Sequence, residues 1–296
     1  MSTGTDPLAP LAQLPGVPDA VAEVRKAVDR LYGHRVMRRR AAEVTSESAL
    51  RGARASAALA GANWPLEEVR RRTDFGADPE ARTVGAALRI AAEAGQLLSI
   101  WRHSPLQVLA RLHLLAVGDG DPAAGRPRRA GEGAEELFPL ALEPVESVEV
   151  DVVDGPLPVL PPAPGAEEVA ARLDQLSRLL VARAEGQGVG TPALVVASVV
   201  HGELLALRPF GTHNGVIARA AQRIVLIAEG LDPKSICPTE VGLAELGTAA
   251  YRQALAGYLA GTPEGMAAWI AHCGRALRLG VRESTAVCEA MQRGMV

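Results

Sequence analysis

Apolar residues recur at helical spacing along most of the chain, and at strand spacing in one short stretch. The most continuous apolar helix covers residues 191–207, with no Gly or Pro between Leu194 and Val200, and reads as buried. Arg208-Pro209 stops it, because a residue before proline is pushed out of the α region. A tight loop, 210–215, follows and exits through Asn214-Gly215. A second apolar helix is predicted from about Val216 to Ala228, ended by Gly230 and Asp232-Pro233.

The same spacing predicts further helices upstream. Residues 18–31 place Val21, Val24, Ala27, Val28 and Leu31 on one face. A small-residue helix carries Leu50, Ala53, Ala57 and Ala60, with Thr45 or Ser46 as its cap and Asn63-Trp64-Pro65 at its end. Pro65 opens the next helix, with Glu67 and Glu68 in its first turn. Residues 84–101 read as one long helix despite Gly95, and Ser104-Pro105 opens another through Val117. Alternation of Val148, Val150 and Val152 with acids predicts a β-hairpin over 145–159, turning at Asp154-Gly155. Pro161 to Pro164 is a stiff connector, and helices dominate to the end, where 282–296 reads as a polar-faced, fraying helix.

The expected class is all-α with one short hairpin. Four regions divide the chain: a disordered tail (1–17), an N-terminal helical region (18–117), a core containing a flap and linker (118–280), and a C-terminal helical tail (281–296).

Composition narrows the function. Apolar residues make up 48% of the 296 but aromatics only 3%, so the core must be built from Ala, Leu and Val. A net charge of −3 supplies no basic field for nucleic acid, and rings are too sparse for base stacking. Cys237, Cys273 and Cys288 lack metal or redox spacing and suit a reducing, cytoplasmic setting. No signal peptide or membrane-spanning run is expected. The run Arg35 to Arg40 reads either as a patch for an acidic partner or as a solvated helix face. Arg126, Arg128 and Arg129 read either as contacts to an acidic protein partner or as a mobile, solvated loop. His103 and His113, with no second ligand at i+4, read as structural.

The chemistry centres on residues 208–219. Free amides in the first turn of the second helix face the loop, and the helix dipole favours an anion there. Arg219, one turn further in, is placed to reach back to it; the plainer reading is a helix corner with a solvated Arg.

This stretch resembles the central motif of the Fic (Fido) family, His-Pro-Phe-x-Asp/Glu-Gly-Asn-Gly-Arg-x-x-Arg. Pro209, Phe210, Asn214, Gly215 and Arg219 agree with it. Arg208 stands at the catalytic His, Thr212 at the metal-binding acid, His213 at the first Gly and Val216 at the first phosphate-binding Arg. His201 matches a His common in the preceding helix. Upstream, Ser56 to Gly61 resembles the family's inhibitory-helix motif, with Ala60 in place of its Glu. Gly125-Arg126-Pro127-Arg128 resembles the entry to the flap, and Tyr251 to Leu255 and Trp269-Ile270 resemble the closing helices. The resemblance covers about residues 42–277.

It implies transfer of a nucleotide monophosphate from ATP to a protein hydroxyl, with the motif His as base, the acid on Mg²⁺ and the arginines on phosphate. The departures remove much of this. Arg208 stays protonated and is no base, Thr212 offers Mg²⁺ no charge, and Val216 deletes a cation. The resemblance therefore implies a degenerate binding or regulatory module, holding ATP, another nucleotide, a phosphate or a phosphorylated partner through Arg208, Asn214, Gly215 and Arg219, where Mg²⁺ would need ligands other than Thr212. The alternative is a transferase of altered chemistry using His213 or His201 as base. A third reading is a scaffold whose pocket is empty. Ala60 cannot pair with Arg219 as the family's inhibitory Glu does. The flap region is the expected surface for a protein partner; sequence does not speak to oligomeric state.

Overall fold

The computed structural model describes residues 6–118, 120–148, 155–187 and 190–295. The N-terminal segment, expected to be a disordered tail, is docked over residues 6–17. Ala9–Gln13 form a short 3-10 helix that seats Leu8 and Ala12 in the core. Asp6 accepts from the Thr191 hydroxyl at 2.6 Å and pairs with Arg183 at 3.0 Å. A Pro-rich composition reads as tail, but two apolar side chains and a buried ion pair outweigh it.

Helix α1 (Val17–Tyr32) follows, with Val17, Val24, Val28 and Leu31 buried as its period requires. In the basic run, Arg35–Arg38 form a 3-10 turn that buries Val36 and Met37 and leaves Arg35, Arg38 and Arg39 exposed. α2 (Ala41–Leu59) starts before Thr45 and Ser46. Neither caps it. Thr45 Oγ1 donates to the Lys234 carbonyl and Ser46 Oγ to that of Ala42.

α3 (Leu66–Arg71) opens at Pro65, and α4 (Pro79–Glu93) opens at Asp78, whose side chain accepts from the Ala81 N–H at 2.8 Å. The long helix expected over 84–101 is broken. It tightens to 3-10 geometry over Ala94–Leu97, around Gly95, and resumes as α5 (Leu98–Trp101). α6 (Pro105–Val117) ends at Gly118.

No strand occurs among the described residues. Of the predicted hairpin, 149–154, with Val150, Val152 and the turn at Asp154, lie outside the described residues, and 145–148 form a turn. The chain is all-α as described.

After the Pro-rich connector come α7 (Ala166–Ala184), α8 (Ala193–Leu207), α9 (Asn214–Ala228), α10 (Thr239–Glu245), α11 (Gly247–Ala260) and α12 (Pro263–Gln292). The C-terminal residues are no separate tail: 281–292 continue α12 and bury Val281, Val287, Cys288 and Met291. α8 is apolar on every side and lies at the centre, packed against α9 and flanked by α1, α11 and α12. α2, α4 and α6 reach α9 from the other side, so one core joins the N-terminal helices to the rest.

Small residues permit the closest crossings. A Cβ on Gly242 of α10 would lie 1.9 Å from the Ala276 carbonyl oxygen of α12. With few rings available, Ala and Gly let helix backbones approach each other directly.

Candidate functional site

The loop between α8 and α9 is held from within. Arg208 turns left-handed (φ 42°) and ends α8. The Asn214 side chain then brackets Phe210: Oδ1 accepts its N–H at 2.9 Å and Nδ2 donates to its carbonyl at 2.8 Å. His213 is also left-handed (φ 62°), at the motif position where glycine is at home. Phe210 is buried and stacks on His113, ring centroids 4.3 Å apart. His113 Nδ1 accepts the Gly125 N–H at 3.0 Å, and burial, with His213 nearby, pushes its pKa down to about 4. His113 is thus a structural residue that ties the Gly-rich loop to the motif.

Arg128 overturns its expectation as part of a solvated loop. It is buried, and its guanidinium donates to the carbonyls of Leu207 (3.2 Å), Arg208 (2.8 Å), Glu132 (3.0 Å) and Pro164 (3.0 Å). Two of these carbonyls lie at the α8 C-terminus, where the helix leaves oxygens without internal partners. The planar fork of Arg supplies several donors at once. The Arg128 N–H also donates to Pro209 O at 2.8 Å.

At the α9 N-terminus lies a residue that the sequence did not nominate. Glu135 Oε1 accepts the Asn214 N–H at 2.6 Å, with the amides of His213 and Gly215 on either side of that bond in the chain. Its own N–H donates to Gly211 O at 2.9 Å. Burial raises the Glu135 pKa, while those amides and the Arg219 charge oppose the rise. Nothing local marks Glu135; it is one acid among several in a Gly- and Arg-rich stretch, 79 residues from its partner.

A cavity of about 150 Å³ opens at this point, bordered by Ala60, Glu135, Thr212, His213, Gly215 and Arg219. The structure thus gathers part of the predicted set. Arg219 is almost fully buried, and an added Cβ on Gly215 would lie 3.1 Å from its Nη1. Arg219 is not a solvated corner residue: Nε donates to Ser56 Oγ and Nη2 to Ser56 O, both at 2.9 Å. Ser56 and Ala60 therefore do face the motif, and Gly61 (φ 102°) follows α2 with Pro139 packed on it.

Other predicted residues fall elsewhere. The Arg208 guanidinium donates to Pro161 O at 2.6 Å and does not border the cavity. The Asn214 side chain is used up within the loop, so only its N–H faces the site. His201 is 0% exposed, bonded to the Tyr251 hydroxyl at 2.5 Å, and held neutral by burial. No substrate reaches it. His213 is half-buried on the cavity wall, Nδ1 3.0 Å from Thr212 Oγ1, and burial and Arg89 lower its pKa. Among the described residues no three His, Cys, Asp or Glu side chains are arranged to hold a metal ion. Val216 is buried. Among the described residues no helix is long and apolar enough to cross a membrane.

This arrangement of helices is shared with Fic proteins. A Fic family protein from Desulfovibrio desulfuricans G20 superimposes with a TM-score of 0.66 at 20% identity, over 90% of this chain and 74% of that one. Fic-1 (residues 134–508) of C. elegans gives 0.61 at 15% identity, over 93% and 73%. A Fic domain containing signaling protein from Bacteroides thetaiotaomicron VPI-5482 gives 0.58 at 12% identity, over 92% and 97%. No protein-family model and no curated protein matches the sequence. The fold is that of the Fic domain, on a chain whose motif loop carries Arg208, Thr212, His213 and Val216 at four of its positions.

Proposed function

We propose that this chain is a Fic-fold protein that does not transfer AMP and acts as a binding or regulatory module, taking a phosphate group at the α9 N-terminus. The observation that carries this reading is the Glu135 carboxylate seated 2.6 Å from the Asn214 N–H, at the first turn of α9. The free N–H groups at a helix start form an anion cradle, and the helix dipole adds to it. Arg219 supplies a buried cation on the cavity wall.

The residues fit a phosphate better than they fit transfer chemistry. Arg208 turns away and is no base, Thr212 has no charge for Mg²⁺, and Val216 is buried in the core. The phosphate of ATP or another nucleotide would be held by the first-turn amides of α9 and Arg219, without a required Mg²⁺. A protein partner would approach along the segment that contains Arg126 and Glu135.

Calorimetry and thermal-shift titrations with ATP, ADP, AMP, GTP and inorganic phosphate, with and without Mg²⁺, test this reading. Binding without turnover is expected. No response to any of them, in the wild type or in a Glu135→Ala variant, leaves a Fic-shaped scaffold with an idle loop.

The second reading, an altered transferase, has one observation in its favour: the neutral imidazole of His213 borders the cavity. Mg²⁺-dependent labelling of a protein hydroxyl from ATP, lost in His213→Ala, would favour it.

A further inference from the structure

Ala60 leaves the motif without the inhibitory carboxylate of the family pattern, yet a carboxylate sits in the cradle. It comes from the opposite wall. The stretch from Arg128 to Glu135 runs beside the motif loop and is fastened to it repeatedly. The Arg128 N–H meets Pro209 O at 2.8 Å, its guanidinium takes the Leu207 and Arg208 carbonyls, and the Glu135 N–H meets Gly211 O at 2.9 Å. Within the stretch, Glu132 accepts from the Arg126 side chain at 2.7 Å and the Arg129 N–H at 2.8 Å, closing a tight turn. Beyond Glu135, Phe138 stands edge-on to Tyr251, 4.8 Å between ring centroids. The Glu135 backbone is therefore fixed on both sides, and its side chain is delivered to one place.

We propose that Glu135 is a tethered plug, a built-in carboxylate that occupies the anion cradle at the α9 N-terminus and competes with phosphate-bearing ligands for it. This rests on the reading of that cradle as a phosphate site. Two anions do not share one helix start, because like charges held that close repel strongly where water is partly excluded. A ligand phosphate enters only when the Glu135 side chain swings out. The cavity bordered by Ala60 and Gly215 lies on that side, and the small Ala60 leaves it open. Release needs side-chain rotation alone, because the backbone bonds to Gly211 and Pro209 do not involve the carboxylate. The plug therefore sets the ligand concentration at which the site fills, and a partner that lifts the 128–135 stretch lowers that threshold.

The test uses the full chain and two probes, inorganic phosphate and ADP, titrated by calorimetry against wild type, Glu135→Ala and Glu135→Gln. The two probes separate a bare phosphate site from one that needs the nucleoside. Near-wild-type far-UV circular dichroism and cooperative melting establish that the variants fold. Affinity for at least one probe is expected to rise tenfold or more in Glu135→Ala, with a smaller rise in Glu135→Gln, which keeps the shape and loses the charge. Binding seen only in the variants supports the plug in the same way. Equal affinity in wild type and Glu135→Ala, within twofold, overturns the plug and leaves the binding site standing. No binding by any of the three proteins overturns the phosphate-site reading, and the plug with it. As an independent readout, the Asn214 amide proton resonance should move in Glu135→Ala, and move again when phosphate is added.

Discussion

Arg219 grips Ser56 twice, through Nε to the hydroxyl and through Nη2 to the carbonyl, both at 2.9 Å. A motif residue expected to wait for phosphate is thus also a bolt between α9 and α2. Ser56→Ala should lower stability by about 1 kcal/mol, and Arg219→Ala by about 3 kcal/mol, since it leaves buried acceptors without a donor. Urea denaturation of both single variants and the double variant checks this. The double should cost less than the sum, because the two residues share their bonds. Equal and fully additive losses would mean the contact contributes nothing.

Arg128 should behave as a structural clamp. Arg128→Ala strips donors from the Leu207, Arg208, Glu132 and Pro164 carbonyls, and a loss of about 3 kcal/mol is expected. Arg128→Lys should not restore it, because a single ammonium cannot reproduce the planar fork. Thermal melts of the two variants decide. Full recovery by Lys would show that charge alone matters.

Gly242→Ala should be among the most damaging conservative changes. Its Cβ would lie 1.9 Å from a backbone oxygen of α12, and backbone cannot rotate away as a side chain can. Overpacking of this kind costs about 3 kcal/mol. Gly95→Ala, with nothing within 4 Å of the new Cβ, serves as the control and should be neutral or slightly stabilising. Melting temperatures of the pair make the comparison.

Acid should weaken the fold through its buried histidines. His272 is buried, neither ring nitrogen has a hydrogen-bond partner among the described residues, and burial followed by Arg275 pushes its pKa to about 3. His113, at about 4, and His201 are shifted the same way. Each native ring stays neutral while the unfolded ring takes a proton near pH 6.5. The unfolded state thus binds more protons, and stability present above about pH 6.5 is lost as pH falls toward the native values. His272→Phe keeps the stack on Tyr251 and removes two unpaired polar atoms. It should add about 2 kcal/mol and flatten the decline between pH 7 and pH 4.5. An unchanged pH profile would show that His272 takes no part in it.

His213 occupies a left-handed position that glycine accepts without strain. His213→Gly should therefore hold or raise stability by about 0.5 kcal/mol, as relief of strain offsets the added freedom of the unfolded chain. Because it also removes the imidazole, the variant tests the transferase reading in a protein that remains folded. Nucleotide transfer that persists in His213→Gly would exclude His213 as the base.

Much of this protein was legible in the sequence. Helical periodicity located α1, α6, α8 and α9 to within a few residues, because the apolar stripe that marks a helix is also the stripe that becomes buried. The ends of α8 and α9 followed from Pro209 and Gly230, whose backbone restrictions act within a residue or two. The motif loop and its resemblance to Fic proteins also came from local order, and so did the small-residue core.

Tertiary structure decided the rest. Thr45 and Ser46 carry capping chemistry, but packing extended α2 past them. Gly95 was compatible with a continuous helix, yet the chain tightens to a 3-10 turn there. Residues 6–17 are docked because Asp6 finds Arg183 and Thr191 far along the chain. Arg208 left the site for Pro161, the Asn214 side chain was spent on Phe210, and Glu135 arrived in the cradle from 79 residues away. Periodicity reports which face of a segment avoids water. It carries no information on which distant carbonyl or amide a polar side chain will meet, because that depends on how helices separated by tens of residues are finally stacked. The sequence by itself therefore determined the helices, the loop and the start of α9, while only the folded chain determined which side chain sits there.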